Sequence, residues 1–244
     1  VQEKLAEKKY DLVAVVHAET STGVYNPVAE IGKMVTQNDA FYLVDCVTSL
    51  GGMEVKMDEW NIDALYSGTQ KCLSCPPGLS PVSFSDRAVE KLTNRKTKVP
   101  NWYLDLSMIT QYWSGNARVY HHTAPINMLY GLYQACYSIL EEGLENVIQR
   151  HKDMHELLVS ELKTLGLELF VEESARLPML NAIKIPSGVD DANVRGKLIN
   201  DYRIEIGGGL GPLAGKIWRI GLMGETAKKE SIQKLMDAFR KILN

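Results

Sequence analysis

Short unbroken apolar runs alternate along this chain with stretches where apolar residues return every three or four positions. Residues 2–9 read as an amphipathic helix, and LVAVVHA (12–18) is a continuous apolar strand of the kind buried on both faces of a parallel sheet. Pro27 suits the first turn of a helix, and VAEIGKMVTQN after it sets Val28, Ile31, Met34 and Val35 at helical spacing. AFYLVDCV (40–47) and IDALYSG (62–68) read as two more strands. Strand, helix, strand with short links predicts an α/β fold: a mostly parallel sheet with helices on its faces.

Beyond a basic loop at 94–98 come NWYLDLSMITQYW and a turn of small residues. Residues 126–165 are mostly helical in pattern, with Gly166 as the stop. The pattern then changes. LELFV (167–171), LNAIKIP (180–186), IEIGGG and KIWRIGLMG read as strands, and DANVRGKLINDY (191–202) as a helix. A closing helix is expected from near Thr226, with Ile232, Leu235, Met236 and Phe239 on one stripe. These elements describe a small α+β domain. The expected division is a large domain over 1–145 and a small one over 146–244, linked by a long helix. No internal repeat or low-complexity segment is present.

The 244 residues are 45% hydrophobic and 23% charged, enough to bury a core in one or two domains. The net charge of −3, without a long run of one sign, speaks against a nucleic-acid or anionic-membrane partner. No apolar run approaches the roughly 18 residues a membrane span needs. Cys72 and Cys75 form a C-x-x-C, but no second pair or histidine cluster completes a zinc set. Pro76 follows at once, where a thioredoxin-like motif would open a helix, so free thiols in a reducing compartment are expected. His121 and His122, if on a regular strand, would point to opposite faces and could not share a metal; they are read as structural.

Polar groups gather where the first three strands end, at 17–23, at Asp45 and at 67–71, the rim where such sheets bind ligands. Lys71 sits in a turn of small residues before a Pro-Pro-Gly corner, with few charged neighbours in sequence. It is either an exposed loop lysine or an amine kept partly neutral to attack a carbonyl. Asp45 follows FYLV with no base nearby, and an ionised aspartate at a buried strand end needs a partner. A pyridinium N–H would supply one and make the ring an electron sink. A lysine for the aldehyde and an aspartate for the ring nitrogen are what pyridoxal phosphate requires. Arg219, between Trp218 and Ile220, is either a snorkelling edge residue or a fork for a carboxylate. GGGLGPLAG (207–215) is not followed by a helix, so its glycines are read as permitting turns and close approach rather than holding phosphate.

HAETSTGVYNP, LVDCVTSLGG, YSGTQKCLSCPPGLSPVSFSD, YHHTAP and GGGLGPLAGKIWRIGLMG occur in that order across essentially the whole chain. Together they resemble the class V aminotransferases, and within them the alanine–glyoxylate / serine–pyruvate aminotransferase family. The resemblance implies the type I fold of pyridoxal-phosphate enzymes and assigns roles one residue at a time. Lys71 matches the lysine that bonds to the cofactor and moves the substrate's α-proton. Asp45 matches the pyridine-nitrogen partner, Val47 the residue under the ring, and Thr20 a hydroxyl near the phenolic oxygen. Gln70 matches a glutamine near the phosphate. Tyr120 and Thr123 match residues that reach the neighbouring subunit's phosphate in a homodimer; the plainer reading is a polar loop packed on its own subunit. Arg219 matches the arginine that grips the α-carboxylate.

The reaction implied is ping-pong transamination between a small amino acid, alanine or serine, and a small 2-oxo acid, glyoxylate or pyruvate. Chains of the family begin before the equivalent of Val1, in a segment carrying a phosphate-binding turn and a ring-stacking aromatic, so the numbering is expected to start mid-protein. Gln70 argues against the cysteine desulfurases, which carry histidine before the lysine. A 3-hydroxykynurenine transaminase stays open, as does a silent dimerisation or binding fragment. FRKILN is not a peroxisomal ending of the S-K-L type, and cytoplasm is the default expectation.

Overall fold

The computed structural model describes residues 1–114 and 119–243. The small-residue turn expected after Trp113 falls on 115–118, outside the described residues. Helix α1 (Gln2–Glu7) ends earlier than the pattern suggests, because Lys8 leaves it in extended backbone. Strand β1 (Leu12–Val16) follows, and a tight hairpin of β2 (Ala18–Glu19) and β3 (Val24–Tyr25) leads to α2 (Val28–Gln37). Strands β4 (Phe41–Asp45), β5 (Ala64–Tyr66) and β6 (Val82–Phe84) complete a four-stranded sheet in the order β1-β4-β5-β6. The first three strands run parallel and β6 is antiparallel.

One face of this sheet packs on α2. Val28, Ile31 and Val35 lie against Tyr42 and Val44, and the Tyr42 hydroxyl donates to the Val28 carbonyl at 3.1 Å. Gly32 lets the helix come this close, since a Cβ there would stand 2.0 Å from the Trp60 carbonyl oxygen. The opposite face is open: Leu12, Tyr66 and Val82 are exposed. That corrects the expectation that 12–18 is covered on both faces. Its apolar residues are continuous, but β1 is an edge strand in the described sheet.

Helices α3 (Asp86–Thr93) and α4 (Leu106–Ser114) lead to α5 (Ile126–Glu142) and α6 (Leu144–Thr164), divided by Gly143 at φ +87°. Beyond Gly166, also at positive φ, lie β7 (Leu180–Lys184), α7 (Asp191–Tyr202), β8 (Gly207–Gly208), β9 (Ile217–Gly221) and α8 (Lys229–Leu243). The strands form an antiparallel sheet ordered β7-β9-β8. Leu158 and Leu162 of α6, Leu198 of α7 and the α8 stripe Ile232, Leu235, Met236 and Phe239 close over Ile183, Trp218 and Ile220. Residues 167–171 are not a strand; only Leu169 bridges to Ile183. IEIGGG contributes just two paired residues, and α8 starts later than Thr226 because residues 224–226 form a 3-10 turn. No described helix is long and apolar enough to cross a membrane.

Asp63 fastens the start of β5. Its buried carboxylate accepts from the Tyr42 amide at 2.9 Å, the Ser85 hydroxyl at 2.9 Å and Arg87 Nε at 3.0 Å. Burial pushes this carboxyl up, but the bonds from Arg87, Tyr42 and Ser85 outweigh it and hold it below the usual range. Its stabilisation is therefore full above about pH 4, the unfolded value, and is lost as pH falls through the folded one. Asp63→Asn is expected to cost about 1–3 kcal/mol near neutral pH and to flatten the acid limb of stability, read by denaturant melts at several pH values.

Candidate active site

Parallel pairing sets three strand ends side by side. Val16 lies opposite Asp45 and Asp45 opposite Tyr66, and the ladder runs one step further through His17 N–H to the Asp45 carbonyl and Cys46 N–H to the Tyr66 carbonyl. Asp45 is half-buried, and both of its carboxylate oxygens accept hydrogen bonds. The Val47 amide donates to Oδ1 at 2.8 Å and the Tyr66 hydroxyl to Oδ2 at 2.7 Å. Neither donor is charged, and each carboxylate oxygen keeps a spare lone pair. The bond to Asp45, aided by burial, pushes the Tyr66 phenol up to about 12.

Lys71 leaves β5 in a turn closed by its own hydrogen bonds. Ser67 Oγ donates to the Cys46 carbonyl at 3.0 Å, Thr69 Oγ1 to the Pro76 carbonyl at 2.7 Å, and the Ser74 amide to the Lys71 carbonyl at 3.0 Å. Among the described residues the half-buried Lys71 amine has no hydrogen bond or ion pair. Gly68 brings its neighbours together: a Cβ there would stand 2.8 Å from Gln70 Oε1 and 3.4 Å from Val47 Cγ1. Cys72 donates to the Thr48 carbonyl, and burial pushes its thiol up to about 12, so it stays a protonated core residue. Cys46 and Cys75 are also buried and free, and Cys136 is exposed and free.

Arg219 reaches back from β9. Its Nε donates to the Gly208 carbonyl at 2.7 Å and Nη1 to the Thr20 carbonyl at 3.0 Å. Two of its five N–H groups are thus engaged, and three on the Nη1/Nη2 side remain for a carboxylate. Thr20 meets Arg219 through its carbonyl. Tyr120 and Thr123 are exposed and bonded to each other, hydroxyl to hydroxyl, at 2.8 Å; among the described residues no hydrogen bond joins them to Lys71, Asp45 or Gln70. The histidine pair departs from expectation: 119–125 is irregular, and the two Nδ1 atoms face each other at 2.8 Å. No group of three or more metal-ligating residues is assembled among the described residues.

Sequence reasoning missed Tyr66 and placed His17 on the rim without a role. Tyr66 becomes visible only with the register that sets it opposite Asp45. His17 is buried edge-on to Trp60, its Nδ1 has no partner among the described residues, and burial pushes it down to about 4. The donor set on this rim fits pyridoxal phosphate: a carboxylate for the ring nitrogen, an unpaired amine for the aldehyde, a surface formed by Val47 and Gly68, and an arginine with free N–H groups for a substrate carboxylate.

The family model of the class V aminotransferases matches residues 1–222. The (S)-ureidoglycine–glyoxylate transaminase of Bacillus subtilis is 38% identical, over 98% of this chain and 62% of its own length. The alanine–glyoxylate aminotransferase of Callithrix jacchus is 42% identical, over 100% of this chain and 59% of its own. The crystal structure of alanine–glyoxylate aminotransferase from Nostoc sp. superposes with a TM-score of 0.96 at 48% identity, covering all of this chain and 64% of that one. The chain therefore spans about three fifths of the relatives it matches.

Tyr66→Phe is expected to remove one of the phenols titrating above the ordinary range and to free Asp45 Oδ2. A bond to a charged acceptor contributes about 1.5–3 kcal/mol, so affinity for pyridoxal phosphate should fall about tenfold or more. Phenolate absorbance titration and cofactor titration read the two effects separately.

Proposed function

The chain belongs to the class V aminotransferase family, and from that premise we propose a pyridoxal-phosphate-dependent transaminase that passes an amino group from a small amino acid to a small 2-oxo acid, glyoxylate. The observation that carries this reading is the unpaired Lys71 amine on the rim where Asp45 and Tyr66 are held in register. The relatives' names differ in the donor, alanine or ureidoglycine, and share glyoxylate, so the acceptor is the better supported substrate. Alanine or serine is the donor proposed first. Ureidoglycine is the second reading, favoured by the Bacillus relative.

The cofactor, when bound, supplies an aldehyde for a lysine and a ring that takes up the electron pair of a breaking bond. The chain's own residues do the rest. Asp45, oriented by Val47 N–H and the Tyr66 hydroxyl, would accept from the ring nitrogen and so favour its protonated form. Val47 would support the ring, Gln70 would meet the phosphate, and the Thr20 hydroxyl would serve the phenolic oxygen. Arg219, anchored by the Gly208 and Thr20 carbonyls, turns its free N–H groups to the α-carboxylate and so places the α-carbon. Lys71 Nζ would take the proton from the substrate's α-carbon as a general base and then hold it as the acid. Donor and acceptor use one site in turn, which is a ping-pong order.

Helix α5 buries none of its residues, and Tyr130, Tyr133, Tyr137 and Leu140 stand exposed along it. We assign this face to a second copy of the chain, with Tyr120 and Thr123 reaching the partner's phosphate site. So large a run of exposed aromatic surface marks an interaction site.

With alanine and glyoxylate supplied, glycine should form. Lys71→Ala should lower turnover about 10²–10⁴-fold, and Arg219→Lys should chiefly raise KM for the amino donor, because a point charge replaces a fork. A Lys71→Ala protein that transfers amino groups like the wild type contradicts the reading; a protein inert with every donor and indifferent to Lys71 favours the binding fragment.

A further inference from the structure

The turn that carries Lys71 is gripped from the C-terminal half of the chain. Residues 223–227 land directly on it. The Glu225 amide donates to Ser74 Oγ at 2.7 Å, and Gly224, at φ +53°, comes so near that a Cβ would stand 1.7 Å from Ser74 Oγ and 2.7 Å from the Cys72 carbonyl oxygen. A hollow of about 340 Å³ opens beside this contact, lined by Cys72, Ser74, Arg150 and Gly224 among others. Hydrogen bonds therefore hold the turn on that side where packing is incomplete.

The landing loop is itself held by two neighbouring residues of α6. Arg150 Nη1 donates to the Gly224 carbonyl at 2.8 Å and the Ala227 carbonyl at 3.2 Å, while Nε and Nη2 take both oxygens of Glu142 at 2.6 and 2.9 Å. His151 is fully buried. Its Nε2 lies 2.9 Å from the Gly224 nitrogen and its Nδ1 2.7 Å from the Val147 carbonyl oxygen. A backbone N–H can only donate, so Nε2 must accept. The ring proton then sits on Nδ1 and is given to Val147. One tautomer of the neutral ring satisfies both bonds. An imidazolium would set a second N–H against Gly224 N–H with no acceptor between them.

We propose that His151 and Arg150, acting through the 223–227 loop, are positioning residues for Lys71, fixing the turn that presents its amine to the cofactor. This rests on the reading of Lys71 given above. The chain of contacts runs from α6 to Gly224, from Gly224 and Glu225 to Ser74 and Cys72, and from there to the adjacent Lys71. Burial, with Arg150 beside it, pushes His151 below the usual histidine range, against the pull of Val147 and Glu142. The charged groups that act on the ring are Arg150 beside it on α6 and Glu142 on α5; Cys72 in the turn and Glu225 within the loop act on Arg150, and Lys228 after the loop acts on Glu142. The grip is thus complete when the ring is neutral and lost on the acid side.

Asparagine and glutamine at position 151 separate the two bonds. His151→Asn keeps a donor where Nδ1 reaches Val147 and loses the acceptor for Gly224; His151→Gln keeps the acceptor. In the wild type, hydrogen exchange of residues 72–75 and 223–226 should be slow without cofactor. It should rise about tenfold in His151→Asn and in Ser74→Ala, the latter an exposed site that does not threaten folding, and be restored in His151→Gln. With pyridoxal phosphate bound, His151→Asn should lower kcat about tenfold with KM little changed and shift the pH midpoint of the bound cofactor's absorbance. His151→Gln should recover most of the loss and lack the acid limb. Equal behaviour of the asparagine and glutamine variants, or unchanged exchange in Ser74→Ala, overturns the proposal. A wild type that takes up no cofactor at Lys71 while exchange still responds as described overturns the reading of Lys71, and with it the purpose assigned to the grip.

Discussion

The parallel register of β1, β4 and β5 is the constraint on which the site depends. Side chains alternate with a period of two, so a slip of one residue would swing Asp45 onto the α2 face and turn Tyr66 away from it. Burial of Tyr42 and Val44 against α2 forbids that slip, because it would expose both. The core thus selects the register, and the register delivers a carboxylate, a phenol and a lysine-bearing turn to one rim. Stability and function are joined at β4: alternate residues build the core and the terminal one serves the site.

The rim is completed by the other half of the molecule. Arg219 and Thr20 are joined by a hydrogen bond although nearly the whole chain separates them, and Gly224 rests on Ser74 across a comparable distance. A small apolar cluster of Ala18, Cys72, Leu177, Met179 and Leu180 lies where the halves meet. Arg219 on β9 and the turn that carries Lys71 are therefore both held by contacts across this junction.

Most regular elements were legible because their patterns are strong. Helix α7 coincides with 191–202, and α2, β4, β7 and the α8 stripe lie where the periodicity predicts. The misses have physical causes. LELFV has strand composition but meets the free edge of β7 only at the Leu169–Ile183 bridge. The run at 12–18 looks doubly buried because apolar composition cannot tell an edge strand with an open face from a central one. At the site, Lys71, Asp45 and Arg219 stood out as isolated charges in apolar surroundings. Tyr66, His17 and His151 did not, because a tyrosine or histidine in an apolar run is ordinary until its partner is known. Gly224 carries no signal in sequence; its need arises only when Ser74 arrives beside it.

The central claim is that Lys71 holds the cofactor. The direct measurement is to incubate the protein with pyridoxal phosphate, reduce with borohydride and map the modified peptide by mass spectrometry. The account predicts a phosphopyridoxyl group on Lys71 alone, diminished when Asp45 is replaced by alanine. Labelling scattered over surface lysines, or confined to a lysine away from the rim, would contradict it.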